Sequence, residues 1–207
     1  MWYILGDGPF SLEVYDWSCD ALGDAAAREF GGFLSGEADP APHSSGLPVL
    51  SDRGFDFAAA DFIVNAIAKP AVKASLLPQL TAEGARFKTI IHPTATVRAS
   101  EIGDGTVICP GVVVGAQTKI GVGCTINYQV GIGHETTMAD FVTISPGVQI
   151  GGRSTIGARS FVGLSAAIID NIKIGKDVQI NAGAVVISRI KDEKTVSGNP
   201  ARRTQTF

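Results

Sequence analysis

His134 followed directly by Glu135 is the pair in this chain best suited to moving a proton. Imidazole titrates near neutrality, and an adjoining carboxylate can fix its tautomer and stabilise its charged form, as a general base requires. The other two histidines offer less. His43 lies among Pro40, Pro42, Ser44 and Ser45, where a solvated side chain is expected, and His92 precedes Pro93, where a structural hydrogen bond is expected. Near the start, Gly6 and Gly8 follow an apolar run. Such a turn either presents backbone N–H groups to a phosphate or is a plain tight turn, and Pro9 removes one of the donors. The basic residues Arg189, Lys191, Lys194, Arg202 and Arg203 gather near the C-terminus, as a solvated tail or as partners for phosphates. No GxSxG, Walker-type or HExxH run occurs, so acyl transfer through a covalent serine has no motif behind it.

His134 is positioned by a repeat. From Ile102 to Val186, every sixth residue is aliphatic or Met: Ile102, Ile108, Val114, Ile120, Ile126, Ile132 and Met138, continuing unbroken to Ile174, Ile180 and Val186. The next position is most often Gly, and the fourth after the aliphatic residue is small or β-branched. A period of six fits neither a helix nor a plain alternating strand; it marks a parallel β-helix. The aliphatic residues turn inward, and Gly at the corners supplies backbone shapes that a Cβ forbids. Three short segments complete a triangular coil, so residues eighteen apart stack one strand spacing, about 4.8 Å, apart. His134 stands two positions after Ile132, and Gly152 stacks in its column.

Ahead of the repeat the pattern alternates. Trp2–Leu5, Phe30–Leu34 and Asp61–Ile67 read as strands, with an extended piece over Leu47–Leu50. Helices are expected over Ser11–Leu22 and from about Ala71 to Thr81, the latter ended or kinked by Pro78. The reading is a small α/β domain over residues 1–86 with a mainly parallel sheet, a β-helix over 87–190, and a C-terminal loop and tail over 191–207.

Composition narrows the classes. With 18% charged residues and a net charge of −3 the chain is compact rather than disordered, and nucleic acid is not its main partner. Cys19, Cys109 and Cys124 form no metal-binding spacing, and an odd count suggests a reducing compartment. Cys124 holds a small-residue position of the repeat, where packing is expected. No secretory start and no long apolar run is present, so a cytoplasmic protein is expected.

Ile90-Ile91-His92-Pro93-Thr94-Ala95, Asn127, Ile132-Gly133-His134-Glu135 and Phe141–Gly147, together with the hexapeptides, resemble the bacterial sugar O- and N-acetyltransferases of the hexapeptide-repeat acyltransferase superfamily. The resemblance implies a Rossmann-like N-terminal domain, a left-handed β-helix, a homotrimer, acetyl-CoA as donor and a nucleotide-linked amino sugar as acceptor. It implies His134 as catalytic base with Glu135 as its acidic neighbour, and Asn127, Gly6 and Gly8 on the acceptor side. It implies Gly152, through its N–H, and the closing segment with Arg202 beside the donor. Thr143 stands where family members often carry a His that serves the donor. Pro9-Phe10, Ser35-Gly36 and Ala68-Lys69 depart from the family's pattern at positions expected to touch the nucleotide sugar. Amine acetylation is the leading reading. The alternatives are acetylation of a sugar hydroxyl and a non-catalytic binding β-helix.

Overall fold

The computed structural model describes residues 1–23 and 25–204. β1 (Trp2–Leu5) is the centre of a small sheet, flanked by β2 (Phe30–Ser35) and β4 (Phe62–Asn65), with β3 (Val49–Ser51) outside β2. All three pairings are parallel. A parallel sheet needs both faces covered. On one face α1 (Pro9–Leu22) packs Val14 against Trp2, Ile4 and Phe33; on the other α3 (Pro70–Ala82) packs Leu77 and Leu80 against Leu5, Leu34 and Ile63. A short helix, α2 (Ala26–Glu29), leads into β2 and was not expected from sequence.

Pro78 neither ends nor sharply interrupts α3, which continues to Ala82. Pro78 sits on the exposed face, while Lys73, Leu77 and Leu80 anchor the opposite face on both sides of it. Tertiary packing outweighs the lost hydrogen bond, which costs about 3 kcal/mol in an isolated helix.

From Ile90 the chain winds into a parallel β-helix of two-residue strands with three faces. The first face stacks Ile90–Ile91, Val107–Ile108, Thr125–Ile126, Thr143–Ile144, Phe161–Val162 and Gln179–Ile180. The second stacks Thr96–Val97, Val113–Val114, Gly131–Ile132, Gln149–Ile150, Ala167–Ile168 and Val185–Val186. The third runs from Glu101–Ile102 through Thr137–Met138 to Lys173–Ile174. From Glu101 to Val186 the paired residues are eighteen apart, as the hexapeptide count requires, whereas the first coil is one residue short, with Ile90 against Val107 and Thr96 against Val113. The aliphatic residues form one continuous buried core, with Ile126, Ile144, Ile156 and Ile180 fully buried. Each such side chain contributes about 1.5–3 kcal/mol.

The small polar residues four positions on also point inward and bridge coils. The hydroxyls of Thr106, Thr118, Thr136, Ser154 and Ser160 donate to the corner carbonyls of Gly121, Gly133, Gly151, Ile169 and Gly175 in the next coil.

The corner glycines serve a different purpose from the one their positions suggested. Gly103, Gly115, Gly133, Gly151 and Gly163 do not adopt positive φ. They are bare because the next coil presses on them: a Cβ on Gly115 would lie 2.6 Å from the His134 backbone nitrogen, and one on Gly163 2.6 Å from the Ala182 backbone nitrogen. The left-handed backbone falls two residues later, and there Gln117, Gln129, Glu135, Phe141, Arg153 and Arg159 adopt φ of 56–60° alongside Gly105, Gly111, Gly123 and Gly147.

The segment after Val186 is more than a loop and tail. Thr195–Ser197 adds to the first face beside Gln179–Ile180, and Arg202–Arg203 folds back antiparallel to it. The stacked partners Ile180 and Val196 are sixteen apart rather than eighteen, so the hexapeptide count loses register there. Val196 closes the core.

The α/β part seats on the first face. Lys73 of α3 is completely buried, its Nζ donating to Thr125 Oγ1 (3.1 Å), the Val142 carbonyl (3.1 Å) and Thr143 Oγ1 (2.8 Å). Near the other end of that seat, His92 Nε2 and Asp20 Oδ2 of α1 lie 3.1 Å apart.

Candidate active site

His134 occupies the corner between the second and third faces. Its Nδ1 lies 2.8 Å from Glu135 Oε2, which leaves Nε2 facing away from the carboxylate. Both side chains are about half exposed, so the ring is open to a substrate. With Nδ1–H donated to Glu135, the neutral ring carries its free lone pair on Nε2. Glu135 has φ of 57°, a conformation that costs an ordinary residue about 1–2 kcal/mol and here directs its side chain beside the ring.

One coil above, Gly152 lies against the ring. A Cβ there would stand 2.9 Å from His134 Nε2 and 3.1 Å from Cδ2 and Cε1, so the ring occupies the space a side chain would take. The Gly151–Gly152 peptide is fixed from within, because Thr136 Oγ1 donates to the Gly151 carbonyl at 3.4 Å. Its N–H is Gly152's own, and no backbone carbonyl among the described residues accepts from it. The corner therefore pairs a proton acceptor with a backbone donor that no carbonyl takes, the two elements needed when a nucleophile loses a proton as an oxyanion forms.

Next to this corner, the second face is nearly bare. Gly131, Gly133, Gly151, Gln149, Ala167 and Ile169 are among the residues bounding an open groove of about 570 Å³. Beyond its far end, Arg189, Lys191, Lys194, Arg202 and Arg203 surround a recess of about 360 Å³ at the close of the β-helix. Five cations around one recess are suited to phosphate groups.

The remaining sequence candidates lie apart from His134. Asn127 is on the corner between the first and second faces, its Oδ1 accepting from the Tyr128 N–H at 2.8 Å. Gly6, with φ of 117°, ends β1 and is held by its N–H to the Leu34 carbonyl. Gly8 caps α1 from extended backbone, and Pro9 fills the first helical position. Asp7, Pro9, Glu37 and His43 are among the residues lining a hollow of about 410 Å³ there. His43 is only partly exposed, with its ring centroid 4.8 Å from that of Phe33. His92 is buried, with Thr94 Oγ1 2.8 Å from Nδ1, as a structural histidine would be. Cys124 is buried, and its thiol is pushed up to about 11 by burial, which suits packing rather than chemistry.

Thr143 is not at the His134 corner. It is buried on the first face beneath α3, with its hydroxyl donating to the Ala68 carbonyl at 2.8 Å and accepting from Lys73. Within this chain the hydroxyl is engaged at the seam between α3 and the β-helix. Sequence reading missed Lys73, Thr136, Arg153 and Asp170. For the last three the signal was available, since Gly151 lies fifteen residues after Thr136, Arg153 eighteen after Glu135 and Asp170 eighteen after Gly152. Lys73 belongs to another element, and nothing in the repeat announces it.

No family model matches the chain. Serine acetyltransferases match it, at 30% identity over 169 residues in Bacillus pumilus and 28% over 166 residues in Buchnera aphidicola. These alignments cover 80% and 79% of this chain. The chain spans 70% of the length of the first of these enzymes and 56% of the second. Among solved structures, the acetyltransferase domain of PglB from Neisseria gonorrhoeae in complex with acetyl coenzyme A superposes with a TM-score of 0.86 at 27% identity, over 98% of both chains. PerB from Caulobacter crescentus in complex with CoA and GDP-perosamine superposes with a TM-score of 0.87 at 25% identity, over 99% of this chain and 97% of that one.

Proposed function

The chain belongs to the hexapeptide-repeat acetyltransferases, and from that premise we propose that it transfers an acetyl group from acetyl-CoA to the amine of a nucleotide-linked amino sugar. One observation carries the reading: His134, bound to Glu135 through Nδ1, faces Gly152 with Nε2. The acceptor amine attacks the thioester carbonyl carbon, and the Gly152 N–H meets the oxyanion that forms, a contribution of about 3–4 kcal/mol. His134 Nε2 takes the amine proton while Glu135 stabilises the imidazolium. The C–S bond then breaks, and the proton passes to the departing sulfur. No acyl-enzyme forms.

In this reading the groove on the second face takes the pantetheine arm, and the recess with Arg189, Lys194, Arg202 and Arg203 takes phosphates of the same molecule. The support is the bare, glycine-lined groove beside His134 and the cationic recess beyond it. The N-terminal sheet, read as Rossmann-like, offers the turn of Gly6 and Gly8 to the acceptor, and a left-handed coil and a homotrimer complete the assignment. The acceptor class is favoured by PerB, which binds GDP-perosamine and superposes over nearly the whole chain.

The test is turnover with acetyl-CoA against a panel of nucleotide-linked amino sugars and their hydroxyl counterparts, after ranking ligands by thermal shift. Amine acceptors are expected to react. His134→Ala should lower kcat by roughly 10²–10⁴-fold, the usual weight of a general base, and leave acetyl-CoA binding intact. Near-normal turnover by that variant would remove His134 from the mechanism.

A further inference from the structure

The second position after an inward aliphatic residue has a backbone N–H that no backbone carbonyl among the described residues accepts, as at Val122, Gly152 and Lys176, and in this β-helix aspartates from the coil above cap such groups. Asp140, eighteen residues beyond Val122, accepts from the Val122 N–H at 2.9 Å. Near the closing coil, where register has shifted, Asp192 accepts from the Lys176 N–H at 3.1 Å. Gly152 and Asp170 repeat the arrangement at the His134 corner: same turn position, same separation of eighteen, aspartate one coil above. Yet the Asp170 carboxylate does not take the Gly152 N–H. Its Oδ2 lies 3.5 Å from Arg153 Nη2 instead, and the atoms of Asp170 closest to the bare corner at Gly151 are its backbone nitrogen and Cα. At the matching corner of Gly121 the closest atom is the aspartate's own Oδ1.

We propose that Arg153 is a positioning residue that holds the Asp170 carboxylate off the Gly152 N–H and so keeps that donor open for the thioester oxygen. The inference rests on the acetyl-transfer reading above for its catalytic meaning, but the geometry it asserts belongs to the protein alone. Without Arg153, Asp170 caps Gly152 as Asp140 caps Val122. The capped donor is then lost to the transition state, and a carboxylate is left beside the position where negative charge develops. Arg153 also approaches Glu135 Oε2, at 4.0 Å, so its removal disturbs two carboxylates. Only a second substitution separates the two effects.

The experiment compares wild type, Arg153→Met and Arg153→Met/Asp170→Ala in the full chain. The Gly152 amide is isolated by labelling glycine with carbonyl ¹³C and amide ¹⁵N. Only a glycine preceded by glycine then gives a carbonyl-filtered signal, and the sequence contains two such pairs, Gly31-Gly32 and Gly151-Gly152. Arg153→Met should move the Gly152 amide proton downfield, as a new carboxylate bond requires, and lower kcat by up to the 10²–10³-fold that loss of one oxyanion donor produces. The double variant should return the amide signal and recover most of kcat, although it lacks one more polar side chain. An unmoved amide in Arg153→Met would overturn the proposal, as would a shift that persists without the Asp170 carboxylate. Rescue of the amide without rescue of kcat would show that Arg153 acts through Glu135, and the proposal would fall. If no acceptor is turned over even by wild type, the acetyl-transfer reading fails, and the amide signals still decide whether Arg153 restrains Asp170.

Discussion

Gly152 joins two properties at the His134 corner: it leaves room for the ring, and its N–H is taken by no backbone carbonyl among the described residues. Gly152→Ala should therefore displace the ring, because the new Cβ would stand 2.9 Å from Nε2. Turnover is expected to fall by more than tenfold while the melting temperature changes little, since the half-exposed ring can swing toward solvent. A fully active Gly152→Ala would contradict the assigned ring position. At the interface between α3 and the β-helix, burial lowers the pKa of Lys73 from 10.5 to about 8. Between those values the unfolded chain holds the proton more often than the folded one, so Lys73 makes stability rise with pH over that window. Cys124, pushed up to about 11 by its own burial, acts in the opposite sense above pH 9. Denaturant titrations of wild type against Lys73→Met isolate the lysine. Wild type should gain on the variant by about 3 kcal/mol from pH 8 to 10.5, at 1.36 kcal/mol per unit, and a flat difference would mean that Lys73 stays charged. The stacking of Gly152 on His134 was legible in the sequence because one column of the repeat contains both, and Glu135 was legible because it follows His134 directly. The contacts of Thr143 were not legible, because what it meets is decided by Lys73, seventy residues earlier.

Within a single coil, two positions that both accept glycine do so for different reasons, and substitution should separate them. The position after the inward aliphatic residue is pressed by the next coil. Gly163→Ala places a Cβ 2.6 Å from the Ala182 backbone nitrogen, which neither rotamer change nor repacking relieves. A loss of about 1–3 kcal/mol or more is expected, as for other overpacked sites. Two residues on, the backbone is left-handed whatever the side chain. Gln117, with φ of 58°, sustains a cost of about 1–2 kcal/mol that glycine would not, offset by about 0.5–1 kcal/mol of extra chain entropy. Gln117→Gly should therefore be neutral or stabilising by up to about 1 kcal/mol, and thermal melts of the two variants check the contrast. The period of six revealed the coils, the core and the corners from composition alone. It did not reveal which corner residue turns left-handed, because ten of the positive-φ residues among those described carry side chains and leave no compositional mark. The C-terminal strand escaped for a related reason: a return after sixteen residues breaks the count that identified the rest.

Across the whole molecule, the first face is occupied by the α/β part through Lys73, Leu77 and Phe141, which leaves the second and third faces for other contacts. Asn127 and His134 sit on different corners of the prism. If both serve one acceptor, the simplest geometry takes them from neighbouring copies, and a bend at a shared corner within one chain is the rival. Unfolding His134→Ala and Asn127→Ala proteins together and refolding them as mixed oligomers should then restore part of the activity that each lacks alone. No recovery in verified mixed oligomers would put the site within one chain. The same seating has a consequence for biosynthesis. Lys73 leaves the ribosome long before Thr125, Val142 and Thr143, the groups that will hold its ammonium. At 5–20 residues per second, the seventy residues that separate it from Thr143 take roughly 4–14 s to make. Through that interval α3 has no seat and its charged residue must remain in water, so the N-terminal sheet emerges with one flank unfinished. Its last covering surface is delivered only when the coil bearing Ile144 has closed.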